Sequence, residues 1–203
     1  VICSFKAAAS ARIVGPVRWG LPAGWRVIAG FAPAVKRAMR AGMKDLPYRH
    51  NVGAVLFNAA GLVLVARRAD MPNAEGAAGG WQLPQGGVDK GEDLRAAVLR
   101  ELAEEIGTDK AEIIAEHPEW LSYDFPADLQ AMRIAQKYRG QRQRWFALRF
   151  LGQDSDIRLD ADPHPEFDAW RWARLEELPG LAVHFKRDIY TELTRAFAYL
   201  AAR

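Results

Sequence analysis

The chain of 203 residues holds a single cysteine, Cys3. One thiol cannot build an internal disulfide framework, and such scarcity fits a reducing compartment. No apolar run approaches the ~20 residues that span a bilayer, so no transmembrane helix is expected. The four histidines, His50, His117, His164 and His184, follow no metal-binding spacing, and beside one cysteine they argue against zinc. Acid is absent from the first 42 positions, and Asp45 is the first acidic residue of the chain. Those positions carry seven positive charges (Lys6, Arg12, Arg18, Arg26, Lys36, Arg37 and Arg40), so residues 43–203 must sum to −4 to give the net +3. Pro16, Pro22 and Pro33 interrupt any long helix there. Repeats are also missing. What remains is a chain that is half apolar, enough for one sizeable core.

The densest information lies between Gly86 and Gly107, GGVDKGEDLRAAVLRELAEEIG. Asp93 to Ile106 reads as a helix, rich in Leu, Ala, Arg and Glu, without Pro or internal Gly, and stopped by Gly107. Leu94, Val98 and Leu102 form one apolar stripe. Measured from Leu94, Glu101 falls at about −20°, Glu105 at about +20° and Glu104 at about −80°. Two carboxylates thus lie inside the stripe that should face the core, with a third at its edge. A solvated acidic face is the commoner meaning of a glutamate run, but such a face avoids the apolar stripe. Like charges brought together in a partly dry site demand protonation or a cation, and clustered hard oxygens suit Mg2+ or Mn2+. Ahead of the helix, Pro84-Gln85-Gly86-Gly87 cannot be regular helix, and its glycines permit close backbone approach. Glu92 stands near the helix N-terminus, where the dipole favours a carboxylate. Arg100, about two turns on, can reach a carboxylate and tie loop to helix. Glu92, Arg100 and Gly107 therefore read as structural, and Glu101, Glu104 and Glu105 as the metal cluster.

These residues resemble the Nudix box, G-x5-E-x7-R-E-U-x-E-E-x-G-U with U aliphatic. Every position matches except the last, where Thr108 stands for an aliphatic residue of similar size. The resemblance implies a Nudix-type α/β/α sandwich with a mixed central sheet, which uses divalent metal and water to cleave a nucleoside diphosphate from another group. Further stretches narrow it: WQLPQGG before the box, GQRQRWF, HPEFDAWRW and VHFKRDIY. Together they resemble the bacterial RNA 5′-pyrophosphohydrolase group, which also includes dinucleoside polyphosphate hydrolases, over about residues 43–200.

The resemblance implies that Gly86, Glu101, Glu104, Glu105 and Glu166 hold Mg2+, with Mn2+ or another divalent cation as the alternative. Glu105, Glu101 and Glu166 are the catalytic candidates, Glu105 or Glu101 as general base. Arg49 and Arg68 match basic positions near a phosphate cleft. Tyr123, Gln141, Arg142, Arg144, Phe185 and Lys186 match the cradle of the 5′ nucleotides, in which cations hold phosphates and an aromatic stacks a base. Relatives often carry Lys at positions 142 and 144, so the planar forks of arginine alter the detailed contacts. Trp81 is close enough to the box to line the cleft. The activity implied is conversion of 5′-triphosphate RNA ends to 5′-monophosphates, promoting mRNA decay. Hydrolysis of diadenosine tetraphosphate to ATP and AMP uses the same chemistry. A non-catalytic nucleotide- or RNA-binding module would be expected to have lost these carboxylates. A cytoplasmic monomer acting on RNA or a dinucleotide, with neither DNA nor membrane as partner, is the corresponding expectation.

Residues 43–203 read as the hydrolase domain. For residues 1–42 three readings compete: a disordered basic arm that helps hold RNA, an Arg-rich targeting peptide, or a stretch foreign to the natural protein, whose translation would start at Met43 or Met39. The last is preferred, because MKDLPYRHNVG resembles a natural start of this family. Strands are expected at Asn51–Phe57, Leu62–Ala66 (after an Asn58–Gly61 turn), Trp81–Leu83, within Ile113–Tyr123, at Gln143–Leu151 and at Ala169–Trp172. Ala69–Gly80 reads as a mobile loop. Phe185–Leu200 has helical periodicity, with Ile189, Leu193, Ala196, Phe197 and Leu200 on one stripe.

Overall fold

A computed structural model describes residues 45–69, 80–126, 134–161 and 165–201. The basic stretch 1–42 and all but the ends of the Ala69–Gly80 loop lie outside the described residues. Among the described residues eight strands form one mixed sheet: β1 (Tyr48–Phe57), β2 (Val63–Arg68), β3 (Trp81–Gln82), β4 (Gln85–Gly87), β5 (Ala111–Glu116), β6 (Leu121–Asp124), β7 (Gly140–Phe150) and β8 (Phe167–Ala173). The main path runs β3-β2-β1-β7-β5, while β4 pairs with β1, β6 with β7 and β8 with β2. Only β1 and β7 are parallel among these pairs, in register from Tyr48↔Gly140 to Phe57↔Arg149.

Among the described residues three α-helices complete the layers: α1 (Leu94–Ile106), the short α2 (Leu178–Leu181) and α3 (Arg187–Phe197). Strand side chains alternate between faces, so β1 and β7 feed two cores. On one face Val52, Ala54, Leu56, Phe146 and Leu148 meet Ala97, Val98, Leu102 and Ile106 of α1. On the other, Val55, Phe57, Trp145 and Ala147 meet Ile189, Tyr190, Leu193 and Phe197 of α3. Each large side chain buried this way contributes about 1.5–3 kcal/mol relative to exposure. The sandwich expected from the sequence is therefore present, with α1 and α3 covering opposite faces of the sheet.

Local chemistry sets the boundaries. Asp93 caps α1, its Oδ1 accepting from the backbone N–H groups of Arg95 and Ala96 at 3.0 Å. Gly107 ends α1 in the left-handed region at φ 72°, where a side chain would be strained. The expected strand within Ile113–Tyr123 is two strands, because Pro118 cannot donate to the ladder and His117 N–H instead meets the carbonyl of Trp145 at 2.8 Å. The C-terminal helix is shorter than its periodicity suggests. Residues His184–Lys186 and Ala198–Leu200 tighten into 3-10 turns at its two ends.

The feature that positions the site is a split beside β1. Its first half pairs with β4, from Asn51↔Gly87 to Gly53↔Gln85, whereas β2 joins only at Phe57↔Val63. Between them Leu83 is held by its N–H donating to the buried Tyr190 hydroxyl at 2.8 Å, and Pro84 O accepts from Ala54 N at 2.9 Å. At Gly53 the indole of Trp145 fills the space a side chain would need. Gly53→Ala should therefore force Trp145 out of place and destabilise the protein by about 1–3 kcal/mol. Urea unfolding checks this: a lower midpoint with an unchanged slope is expected, and an unshifted midpoint would contradict the packing argument.

Candidate active site

Helix α1 presents its carboxylates at graded depth. Glu105 is buried at 6% exposure. The side chain of Glu101 is 13% exposed and that of Glu104 57%. One Glu105 oxygen accepts from the backbone N–H of Gln85 at 2.8 Å. The other, Oε1, is buried without a hydrogen-bond partner. Gly86 faces Glu101 so closely that a Cβ there would overlap the carboxylate. The same holds at Gly87, where the guanidinium of Arg49 occupies the space of a side chain. Both glycines are thus required by close approach, one to the carboxylate cluster and the other to a cation.

Arg100 clamps this loop to the helix. Its guanidinium donates to Glu92 at 2.7 and 2.9 Å, to Gly87 O at 2.9 Å, to Glu101 at 2.8 Å and to Glu104 at 3.1 Å. Glu92 also accepts from Asp89 N at 2.9 Å, and Arg100 holds its carboxyl below the usual range. Burial pushes Glu101 up to about 7, against the opposing pull of Arg100. Glu105 is raised well above the ordinary carboxylate range, first by burial and then by the neighbouring charges of Glu166 and Glu101. Thr108 is buried at the box's last position, consistent with its resemblance in size to an aliphatic residue.

Glu166 reaches the cluster from the residue before β8. Its side chain pairs with Arg68 at 2.5 Å, and its charge is felt at both Glu101 and Glu105. Facing them, Lys186 is buried at 7% exposure, with Nζ 3.4 Å from Gln82 Oε1 and 5.8 Å from the centre of the Tyr123 ring. Burial, and secondarily the charge of Arg68, lower its pKa to about 7. Tyr123 stacks with Phe185 at 5.2 Å and donates its hydroxyl to Gln141 at 2.7 Å. The structure thus gathers Arg49, Arg68, Glu101, Glu105, Glu166, Tyr123, Gln141, Phe185 and Lys186 around the split beside β1, with Gly86 at its floor and Glu104 on its exposed rim.

Arg142 and Arg144 are not gathered there. They alternate with Gln141 and Gln143 along β7 and face the other side. Arg144 donates to Glu116 at 2.6 Å and to Pro118 O at 2.7 Å, and Arg142 lies 5.4 Å from the Trp120 ring centre. Their expected place in the nucleotide cradle is corrected by the two-residue period of the strand. Trp81 packs beside the core under Arg171, 5.3 Å from its ring. Residues that spacing alone overlooked are Gln82, Gln85 and Gln143. Gln143 Nε2 bridges Gln85 Oε1 at 3.0 Å and Gln141 Oε1 at 3.1 Å, while Gln143 Oε1 and Gln82 Nε2 are buried without partners. The alternation Gln141-x-Gln143-x-Trp145 carried the signal, since polar side chains occupy core-facing positions.

These donors fit a divalent cation. An unpartnered buried carboxylate oxygen on Glu105 and a desolvated neighbour in Glu101, with the backbone of Gly86 packed against the latter, offer hard oxygen donors. Among the described residues no three acidic or histidine side chains are already drawn together as a cage. Arg100 and Arg68 hold Glu101, Glu104 and Glu166 instead. Also among the described residues, no helix is long and apolar enough to cross a membrane.

Comparison with known proteins agrees with this geometry. The NUDIX domain family matches residues 47–193. The chain is 62% identical over 160 residues to an RNA pyrophosphohydrolase of Acidiphilium cryptum, covering 79% of this chain and 96% of that protein. Against an RNA pyrophosphohydrolase of Gluconacetobacter diazotrophicus it is 60% identical over 156 residues, covering 76% and 93%. Among solved structures, the dihydroneopterin triphosphate pyrophosphohydrolase of E. coli superposes with a TM-score of 0.55 at 19% identity, covering 74% of this chain and 99% of that one. The MutT protein of Methanosarcina mazei gives 0.51 at 24%, covering 75% and 96%. At these identities the two structures support the fold alone.

The raised carboxyl of Glu101 has a consequence for stability. Its folded pKa of about 7 lies above the ordinary 4.5. Without a divalent cation, its contribution is fully present below about 4.5 and is lost as pH rises through about 7. In chelator, wild type should lose more stability between pH 5 and pH 8 than Glu101→Gln, and added Mg2+ at pH 8 should stabilise wild type more. Urea titrations at the two pH values test it, and parallel losses in both proteins would overturn the electrostatic account.

Proposed function

The chain belongs to the NUDIX family, and on that footing we propose that it is a metal-dependent RNA pyrophosphohydrolase that converts 5′-triphosphate RNA ends to 5′-monophosphates, promoting mRNA decay. It is a Nudix hydrolase acting on phosphoanhydride bonds. Enzymes of this family generally need a divalent cation, and we assign Mg2+ that role here, held by Glu101, Glu104, Glu105, Glu166 and the Gly86 carbonyl. When bound, the cation neutralises phosphate charge and eases deprotonation of water. The RNA substrate is supported above all by the likeness, at about 60% identity, to RNA pyrophosphohydrolases that this chain covers over 93–96% of their length.

The chain's own residues divide the work by chemistry. Arg49 and Lys186 have no carboxylate in direct ion pairing among the described residues, and both border the cluster. With Arg68 they bind and orient the polyphosphate. Phe185, backed by Tyr123, offers a ring face to a base without fixing its identity. Gln141 and Gln143 orient Tyr123 and Gln85 through their hydrogen bonds. Glu105 or Glu101 takes the proton from water as general base, with Glu105 favoured because Gln85 N fixes one of its oxygens and burial holds its carboxyl well above the ordinary range. Water attacks a phosphorus, one P–O–P bridge breaks, and the charge on the leaving phosphate is met by Arg49, Arg68 and Lys186. One such step gives pyrophosphate and a 5′-monophosphorylated RNA; two successive steps, each with its own water and its own bridge, give two phosphates and the same RNA end.

The test compares rates on 5′-triphosphate RNA and on diadenosine tetraphosphate with Mg2+. Higher kcat/KM on RNA is expected, and turnover confined to the dinucleotide would reject the RNA assignment in favour of a dinucleoside polyphosphate hydrolase. In the same assay Glu105→Gln should lose about 10²–10⁴-fold in kcat while keeping its circular dichroism spectrum. A variant with more than half the wild-type rate at saturating metal would sink the assignment of Glu105.

Residues 43–203 are assigned here as the hydrolase domain, because every box and cleft residue lies within them. Protein lacking residues 1–42 should hydrolyse diadenosine tetraphosphate at an undiminished rate. If the basic stretch holds RNA, its loss weakens binding of long RNA at low salt and matters less as salt rises. Unfolding or lost dinucleotide turnover after truncation would place the stretch inside the domain.

A further inference from the structure

The α1 side of the sheet carries a second group of rings and cations, outside the cleft. His50 of β1 and Arg142 of β7 are direct neighbours across the parallel pair, and Ser122 of β6 stands beside Arg142. The alternation that buries Val52, Ala54 and Leu56 against α1 points His50 the same way. Yet α1 does not cover it, and His50, Ser122 and Arg142 are exposed. Trp120, just ahead of β6, is half-buried and backs this group. Its ring centre lies 5.2 Å from that of His50, with 37° between the planes, and 5.4 Å from Arg142 Cζ.

Arg142 is not needed there as a counter-ion. Arg144 binds Glu116 at 2.6 Å, and Arg95 approaches the same carboxylate at 3.8 Å. Among the described residues Arg142 forms no ion pair and only its contact with the indole holds it. Two arginines thus share one acid and a third has none, which leaves this face short of negative charge. A guanidinium attracted to an indole is held in place by the ring, and its N–H groups stay turned to solvent or to an anion.

The group also adjoins the glycine loop of the active site. Val88, which follows Gly86 and Gly87, donates its N–H to His50 O at 3.2 Å. Arg49, one residue before His50, sets its guanidinium against Gly87. Along β1, His50 is two residues, about 7 Å, from Val52, the partner of Gly86. A nucleotide chain whose phosphates lie at Arg49 and the carboxylates is therefore within a few nucleotides of Arg142.

We propose that His50, Trp120 and Arg142 form a platform for the single-stranded RNA that follows the 5′-terminal nucleotides held in the cleft. Imidazole and guanidinium planes both stack on bases. The indole fixes them in position, and the charge of Arg142 meets the phosphate chain. Stacking of this kind accepts any base, which suits RNAs of differing sequence. The proposal rests on the RNA reading above. It concerns grip on the RNA body rather than bond cleavage, so a dinucleoside polyphosphate gains nothing from the platform.

Dependence on RNA length tests it. Two 5′-triphosphorylated oligoadenylates with a 3′ fluorophore, a dinucleotide and a decanucleotide, are titrated by anisotropy in chelator, where nothing turns over. Wild type should bind the decanucleotide more tightly than the dinucleotide. Trp120→Ala should weaken decanucleotide binding by about 5- to 150-fold, the contribution of one stacked base, and leave the dinucleotide unchanged. Trp120→Phe keeps a ring and should stay near wild type. Arg142→Gln should weaken decanucleotide binding and lower its salt slope by about 0.7, the value for one phosphate contact on a single strand. With Mg2+, Arg142→Gln should raise KM on the decanucleotide, keep kcat, and leave both constants unchanged on diadenosine tetraphosphate.

His50→Ser and Arg142→Gln alter exposed side chains, and they keep the test decisive if Trp120→Ala does not fold. Decanucleotide binding equal in wild type, His50→Ser and Arg142→Gln would overturn the platform, leaving this face to a protein partner or to packing alone. A loss that falls equally on the dinucleotide would overturn it too, since that marks a disturbed cleft. Failure of the RNA reading looks different: wild type itself would turn over diadenosine tetraphosphate and neither RNA. The titration in chelator still decides the platform in that case.

Discussion

Burying two carboxylates side by side is the constraint around which this protein is organised. Glu101 and Glu105 sit on the core-facing side of α1, where desolvation raises both above the ordinary range. Nothing apolar can stabilise that arrangement. The fold answers with one guanidinium that ties Glu101 and Glu104 to Glu92 and to the loop carbonyl of Gly87, and with one backbone N–H at Gln85 that fixes Glu105. An ion pair of this kind is weak evidence for net stability. Its consequence here is register, since α1 and the glycine loop cannot slide past one another without breaking several charged hydrogen bonds together.

The remaining architecture serves that register. β1 changes partners midway, from β4 to β2, and the gap lets carboxylates on one side of the sheet approach groups rooted on the other. Lys186, at the entry to α3, and Tyr123, on β6, belong to the face opposite α1, yet Lys186 feels the charge of Glu105. Glu101 and Glu105 therefore come from the helix below, Lys186, Tyr123 and Phe185 from the layer above, and Arg68 with Glu166 from the sheet between, while the glutamines of β3, β4 and β7 fill the seam with hydrogen bonds. This division suits a substrate that carries a dense anionic chain at one end and a flat base at the other.

Much of the scheme is legible in the chain itself. The helix over Leu94–Ile106, its Asp93 and Gly107 ends and the depth of Glu105, Glu101 and Glu104 all follow from a periodicity of 3.6 and from local capping. Less legible were Arg142 and Arg144. A short basic cluster beside Gln141 suggests a single binding surface, yet a strand sends neighbours to opposite faces, and these two arginines meet Glu116, Pro118 and Trp120. Pairing partners such as Glu166 with Arg68 lie 98 positions apart in the chain, a separation that no local pattern encodes.

By itself, the sequence determined the helix over Leu94–Ile106 and the long strands, which residues must share the inward stripe of α1, and that hard oxygen donors would be crowded there. Those outcomes depend on bonds within a few residues of one another and on a fixed helical repeat. Tertiary structure alone decided that Gly53 must admit an indole, that Lys186 is buried beside Tyr123 and Gln82, and that Arg68 faces Glu166 rather than solvent. Each of these depends on how distant strands pair and where a ladder shifts register, and so on packing between faces that only the folded sheet brings together.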